Sequence, residues 1–222
     1  MFQSGKELEK VFSTSAAFYK LNVNEEVFLC RSVVEIHRTG FQTDGADALV
    51  VLLNPGTCLP LAGTDSVSLL TGGVERLPLL PATPDNTLHQ LMRLMERMNW
   101  HHLRVINLTD LRTGKFEEYR EGQIFMEQYG DVRHTIFSEE RRNELVPYMK
   151  ETSVMIAGWG TKSAIGPAAE RAHAILSETG KVYGLDYHKH PLYYHPFPWL
   201  KGKCIEWLDA MEEQLTEAME EV

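Results

Sequence analysis

The sequence predicts an α/β fold: a three-layer α/β/α sandwich around a mainly parallel, four-stranded central sheet, preceded by a β-containing N-terminal extension. Three observations carry this. Short apolar runs at 46–53, 103–108, 154–157 and 181–185 alternate with stretches of helical periodicity, as strands joined by crossover helices do. The run Ala48-Leu49-Val50-Val51-Leu52-Leu53 is apolar at every position, which suits a strand covered on both faces. The 222 residues are 43% hydrophobic and 24% charged, enough apolar material for one large core.

The elements follow in order. Residues 5–12 read as a short helix with Leu8, Val11 and Phe12 on one side, and 26–37 as extended chain rich in Val27, Phe28, Leu29, Val33, Val34 and Ile36. A hairpin or connecting loop at 38–45 closes the extension, so 1–45 precedes a core of 46–222 within one domain; no repeat or linker marks a second. Residues 54–84, rich in Gly, Pro, Thr and Ser, predict a long surface loop with one short helical piece. Pro84-Asp85-Asn86 then caps a helix carrying Leu88, Leu91, Met92, Met95 and Met98 on one stripe. Residues 112–137 are charged and irregular, an excursion from the core. A helix opening at Ser138 carries Leu145, Val146 and Met149 and should kink or end at Pro147. After Gly158-Trp159-Gly160 comes a helix with Pro167 in its first turn and Ala168, Ala172, Ile175 and Leu176 inward. The last helix turns Cys204, Leu208, Met211 and Leu215 to the core.

Bulk properties exclude some functions. No apolar run approaches the roughly 20 residues that span a bilayer, and the first residues lack the apolar core of a secretory signal. Three widely spaced cysteines, Cys30, Cys58 and Cys204, suit free thiols in a reducing compartment. The expectation is a cytoplasmic protein with no membrane contact. The net charge of -9 counts against a non-specific clamp on duplex DNA, although much of it sits in the last helix.

Ligands of such folds bind beyond the carboxyl ends of the strands. Four stretches fall there. Asn54-Pro55-Gly56 ends the most apolar strand; proline fixes the backbone and glycine lets it approach a ligand, so the Asn54 amide is held rigidly, to orient a water or read a base edge. It can equally be a turn that merely ends a strand. Asn107 holds the same position on the next strand. Trp159 and Gly160 offer an aromatic wall or simple packing. The segment from Tyr187 to Trp199, with His188, His190 and His195 and five aromatic residues, suits acid/base work, oxyanion stabilisation or base stacking. No metal site is expected, because carboxylate and cysteine partners are not at ligand spacing. No G-x-S-x-G elbow, Walker loop or G-x-G-x-x-G fingerprint occurs, and no cofactor is expected.

These motifs resemble an uncharacterised bacterial and phage family, domain of unknown function 1643, over about residues 28–200. The resemblance rests on Cys30-Arg31, Leu53 to Gly56, Asn107-Leu108, Trp159-Gly160 and His190 to Tyr193 in that order. More distantly the chain resembles the mismatch-specific branch of the uracil-DNA glycosylase superfamily, with its Asn-Pro-Gly first motif. That resemblance implies a glycosylase-like fold and cleavage of a nucleobase N-glycosidic bond in DNA or a nucleotide. It implies that Asn54 positions the attacking water, Asn107 reads the base, and His190, or His195 before Pro196, stabilises the leaving base. Pro55, Gly56, Trp159, Gly160 and Tyr193 would line the substrate pocket, and residues 197–200 would enter DNA as a wedge. The other readings are a non-catalytic module binding a nucleotide or nucleic acid, and a protein-interaction domain whose pocket is vestigial.

Overall fold

Helices cover both faces of an eight-stranded sheet in the computed structural model, which describes residues 2–70, 74 and 77–220. A short helix α1 (Gly5–Leu8) leads into a long hairpin, β1 (Phe12–Val23) and β2 (Glu26–Arg38). Asn24 and Glu25 at its tip both have positive φ (47° and 68°), the twist a two-residue hairpin turn requires. Next come β3 (Ala48–Leu52), β4 (Leu59–Pro60), β5 (Leu79–Thr83), α2 (Asn86–Met98) and β6 (His102–Asn107). The chain continues through α3 (Phe116–Tyr129), α4 (Arg142–Lys150), β7 (Val154–Ala157), α5 (Gly166–Leu176), β8 (Val182–Tyr183) and α6 (Lys201–Glu220).

The sheet order is β4-β5-β1-β2-β6-β3-β7-β8. This corrects the expected four-stranded, mainly parallel sheet. The pairs β6/β3, β3/β7 and β7/β8 are parallel, while β4/β5, β5/β1, β1/β2 and β2/β6 are antiparallel, so the sheet is mixed. The residues before Ala46 are not an appendage, since β2 pairs directly with β6 in the middle of the sheet. The 54–84 loop contributes β4, β5 and a 3-10 turn at Thr64–Ser66, and the 112–137 excursion holds α3.

β3 is buried at all five positions. Ala48, Val50 and Leu52 join a core with α1, α2 and α6, and Leu49 and Val51 join a second core with α4 and α5. A strand that alternates between two apolar layers has no solvent face, which explains its unbroken apolar run. α2 starts where Asp85 accepts from the N–H groups of Thr87 and Leu88, and stops at left-handed Asn99. Its Gln90 side chain donates to the Cys204 carbonyl at 2.8 Å, locking it to α6. α4 runs past Pro147 to Lys150, three residues beyond the position expected to kink or end it; Leu145 and Met149 pack it onto the sheet and offset the lost hydrogen bond.

Candidate functional site

From β3 the chain crosses through α2 to β6 on one side, then returns past β3 to β7 on the other. The connections therefore diverge at the carboxyl ends of β3 and β7, where α/β sheets open a crevice. A cleft of about 220 Å³ lies at the β3 end, lined by Leu52, Asn54, Pro55 and Gly56, with Arg31, Asp85 to Leu88, Thr113, His195, Phe197 and Trp199 around it.

Each wall has a local cause. The turn after β3 is clamped by Asp85: one carboxylate oxygen caps α2 and the other accepts from the Thr57 N–H at 3.2 Å. Gly56 has φ 62°, and a Cβ there would stand 2.6 Å from that second oxygen, so any side chain would be strained and would push the carboxylate aside. Asn54 donates its Nδ2 to the Thr113 carbonyl at 2.7 Å, which fixes the amide plane and leaves Oδ1 as an acceptor. The opposite wall descends because Gly158 ends β7: a Cβ would meet Pro196 Cδ at 2.8 Å and Leu52 Cδ2 at 3.4 Å. Bare backbone at Gly158 is what lets the His195-Pro196 loop close over the strand ends.

His195 is held in one protonation state. Burial lowers its pKa, against smaller raising effects from the Phe197 backbone and Asp85, so the ring is neutral at pH 7. The Phe197 N–H donates to Nδ1 at 3.2 Å, closer than the Phe197 carbonyl at 3.4 Å. In the tautomer that accepts from this N–H the ring proton sits on Nε2, a neutral donor without a partner among the described residues; in the other, Nδ1–H donates to the Phe197 carbonyl. At the rim Trp199 is 83% exposed. Its φ of 67°, with the Leu200 N–H donating to the Pro198 carbonyl at 2.8 Å, is the strained form of a γ-turn.

The remaining residues singled out from the sequence lie elsewhere. The His190 side chain is 60% exposed, 3.8 Å from Asp186, with its ring against His173, outside the cleft lining. Trp159 donates Nε1 to the Pro191 carbonyl at 2.9 Å and meets the Tyr193 ring edge-on, while the Gly160 N–H donates to the Tyr193 carbonyl at 2.9 Å. These three residues fasten the 190–193 loop to the end of β7. Asn107 is fully buried beside Leu52, its register partner across β3/β6, and neither polar atom of its amide has a partner among the described residues.

Two arginines were not legible as site residues. Arg31 on β2 is 1% exposed, lines the cleft and donates Nη1 to the Pro55 carbonyl at 2.9 Å. Arg112 donates to the carbonyls of Thr57 and Cys58, both at 2.8 Å. For Arg31 the available signal was a cation directly after the apolar run Val27 to Cys30; Arg112 lies outside every strand and carried none.

Near the opposite end of the strands, candidate ligand atoms of Glu35, His37 and His102 lie within 4.8 Å of one another. Glu35 already accepts from Arg104 Nε at 2.8 Å and faces His102 Nε2 at 2.7 Å, and His102 Nδ1 meets the Gly45 carbonyl at 3.0 Å. The guanidinium on that carboxylate opposes a metal ion, and the group is a hydrogen-bonded ion-pair network. All three cysteines are free and buried, and no described helix is long and apolar enough to cross a membrane.

Fold and cleft together define an α/β protein with a small polar site at the point where its sheet connections diverge. Residues 81–197, more than half of the chain, match the family described as Protein of unknown function (DUF1643), and the chain belongs to that family. The matched span holds Asn107, Trp159-Gly160, His190 to Tyr193 and His195; Arg31 and Asn54 to Gly56 precede it. No curated protein and no solved structure matches the chain.

Proposed function

We propose that this cleft binds a nucleobase-bearing ligand and hydrolyses its N-glycosidic bond. One observation carries the reading: Asn54 and His195 line the same cleft, one offering a fixed amide oxygen and the other a neutral imidazole that, in its Nε2–H tautomer, is a donor. An amide oxygen can orient an attacking water. A neutral donor can stabilise the negative charge that develops on a departing base, with no proton transfer needed. At about 220 Å³ the cleft is below the roughly 300–1,000 Å³ of sites for larger ligands, so it encloses only the part of the ligand next to the reacting bond. His195 takes the role that the distant glycosylase resemblance offered to either histidine. Exposed Trp199 and Leu200 at the rim suit stacking on, or wedging beside, an extruded base.

Purified protein incubated with uracil-, hypoxanthine- and mismatch-containing oligonucleotides, single- and double-stranded, and with free nucleosides and nucleotides should release free base from at least one. Absence of base release from every substrate would remove the reaction.

One observation favours a second reading, binding without turnover. Asp85 is the sole carboxylate among the described lining residues, and both of its oxygens already accept N–H groups, so no free carboxylate base faces Asn54. Saturable ligand binding without base release, lost in Asn54→Ala, would establish it.

A further inference from the structure

We propose that Arg31 makes the cleft a receptor for a phosphate group, so that its ligand is a nucleotide or a nucleic-acid strand rather than a free base or nucleoside. This rests on the nucleobase reading above, since the anionic group on such a ligand is a phosphate.

The argument begins with charge. Arg31 is 1% exposed, so its guanidinium charge sits at the cleft with almost no surface open to water. An isolated buried charge is strongly disfavoured, and buried arginines are ordinarily matched by a carboxylate. Among the described residues no carboxylate lies within ion-pair distance of Arg31, although nine arginine–carboxylate pairs occur elsewhere, buried Arg141–Asp110 among them. Its one oxygen partner is the Pro55 carbonyl, and its Nε is fully buried with no partner.

A structural clip on Pro55 does not need this charge. Arg112 already holds the same turn by two carbonyls, and the two guanidinium groups are near enough that Arg31 helps to lower the pKa of Arg112, after burial, the largest cause. Two cations converge on one turn against a single carboxylate, Asp85, whose oxygens are engaged. A guanidinium at the cleft wall, held by the Pro55 carbonyl and the Cys58 side chain with no carboxylate opposite it, is the arrangement that recognises phosphate oxygens.

The test uses the full-length protein and inorganic phosphate, followed by thermal unfolding and titration calorimetry. Phosphate should bind saturably and raise the melting temperature beyond sodium chloride at equal ionic strength. Arg31→Lys, which keeps a charge and a donor for Pro55, should weaken phosphate at least tenfold, whereas Lys203→Ala should leave it unchanged. A wild-type response no larger than that of chloride overturns the inference, and needs no variant to fold. So does an Arg31→Lys protein, folded by circular dichroism, that binds phosphate as tightly as wild type. Competition by a nucleoside monophosphate or by a short single-stranded oligonucleotide identifies the source of the phosphate, and either supports the proposal. Phosphate binding without base release would leave the Arg31 site standing and remove the reaction. Base release equally fast from nucleosides and nucleotides, without phosphate binding, would do the reverse.

Discussion

Replacing Gly56 by alanine perturbs the scaffold of the cleft at a position whose cost can be worked from the structure. The backbone there has φ 62°, a left-handed conformation that costs an L-residue about 1–2 kcal/mol. The added Cβ would stand 2.6 Å from Asp85 Oδ2, so the carboxylate must move, and its cap on α2 is worth about 1 kcal/mol. Gly56→Ala should therefore lose about 2–3 kcal/mol. At about 2.1 cal/mol/K of unfolding entropy per residue, 222 residues convert this to a fall of about 4–6 °C in melting temperature. Asp85→Ala alone should cost about 1–2 kcal/mol through the lost cap and the lost Thr57 contact. The double variant should cost about 1 kcal/mol less than the sum, because both single changes forfeit the same cap. Urea and thermal unfolding of the four proteins measure this cycle. Strictly additive costs, or a Gly56→Ala protein as stable as wild type, would refute the clamp.

Other expectations follow from the same geometry. Asn107→Leu removes a buried amide whose two polar atoms lack partners, and should raise stability by about 1–2 kcal/mol in urea titrations; a loss of similar size would show that the amide is satisfied. Trp199→Gly relieves a strained φ on a side chain that is 83% exposed, and should stabilise by about 1 kcal/mol while weakening ligand binding; an unchanged affinity would remove Trp199 from the site. Burial lowers the pKa of His134 to about 4 from 6.5, so the unfolded chain binds the extra proton and stability is lost as pH falls from 6.5 to 4, by up to about 3 kcal/mol. His134→Gln should gain that amount relative to wild type over this window in urea midpoints, and parallel pH profiles would contradict it. Burial raises the pKa of Asp110 from 3.8 to about 6, so its effect has the opposite sign: stability present below 3.8 is lost as pH rises through 6. Wild type should accordingly show a shallow profile between pH 4 and 6, with the dependence exposed once His134 is replaced.

What the sequence made legible follows from how local each signal is. β3 and the Asp85 cap of α2 are written in consecutive residues, and the Cys204, Leu208, Met211 and Leu215 stripe of α6 in helical periodicity. β1 begins Phe12-Ser13-Thr14-Ser15-Ala16-Ala17, small and polar, and becomes a strand because β2 and β5 flank it. α3 buries only Tyr119 and Met126, too few to mark a stripe. At the site, Asn54 stood out because proline and glycine follow it. His190 and His195 both precede proline, and nothing local separates them. The contact of Pro196 with Gly158, 38 residues earlier in the chain, brings His195 to the cleft, while Trp159 and Tyr193 leave His190 exposed. Arg31 needed the most context, since one cation on a strand that also carries Ser32 and Glu35 means little until its partners are known.

The most direct test is base release by His195→Ala and His190→Ala, measured beside wild type on the substrate that wild type cleaves. Alanine removes the imidazole donor from the cleft and should slow release by about 10²–10³-fold, as removal of one electrophilic donor does, while His190→Ala should stay within about twofold of wild type. Full activity in His195→Ala, or loss confined to His190→Ala, would overturn the role given to His195.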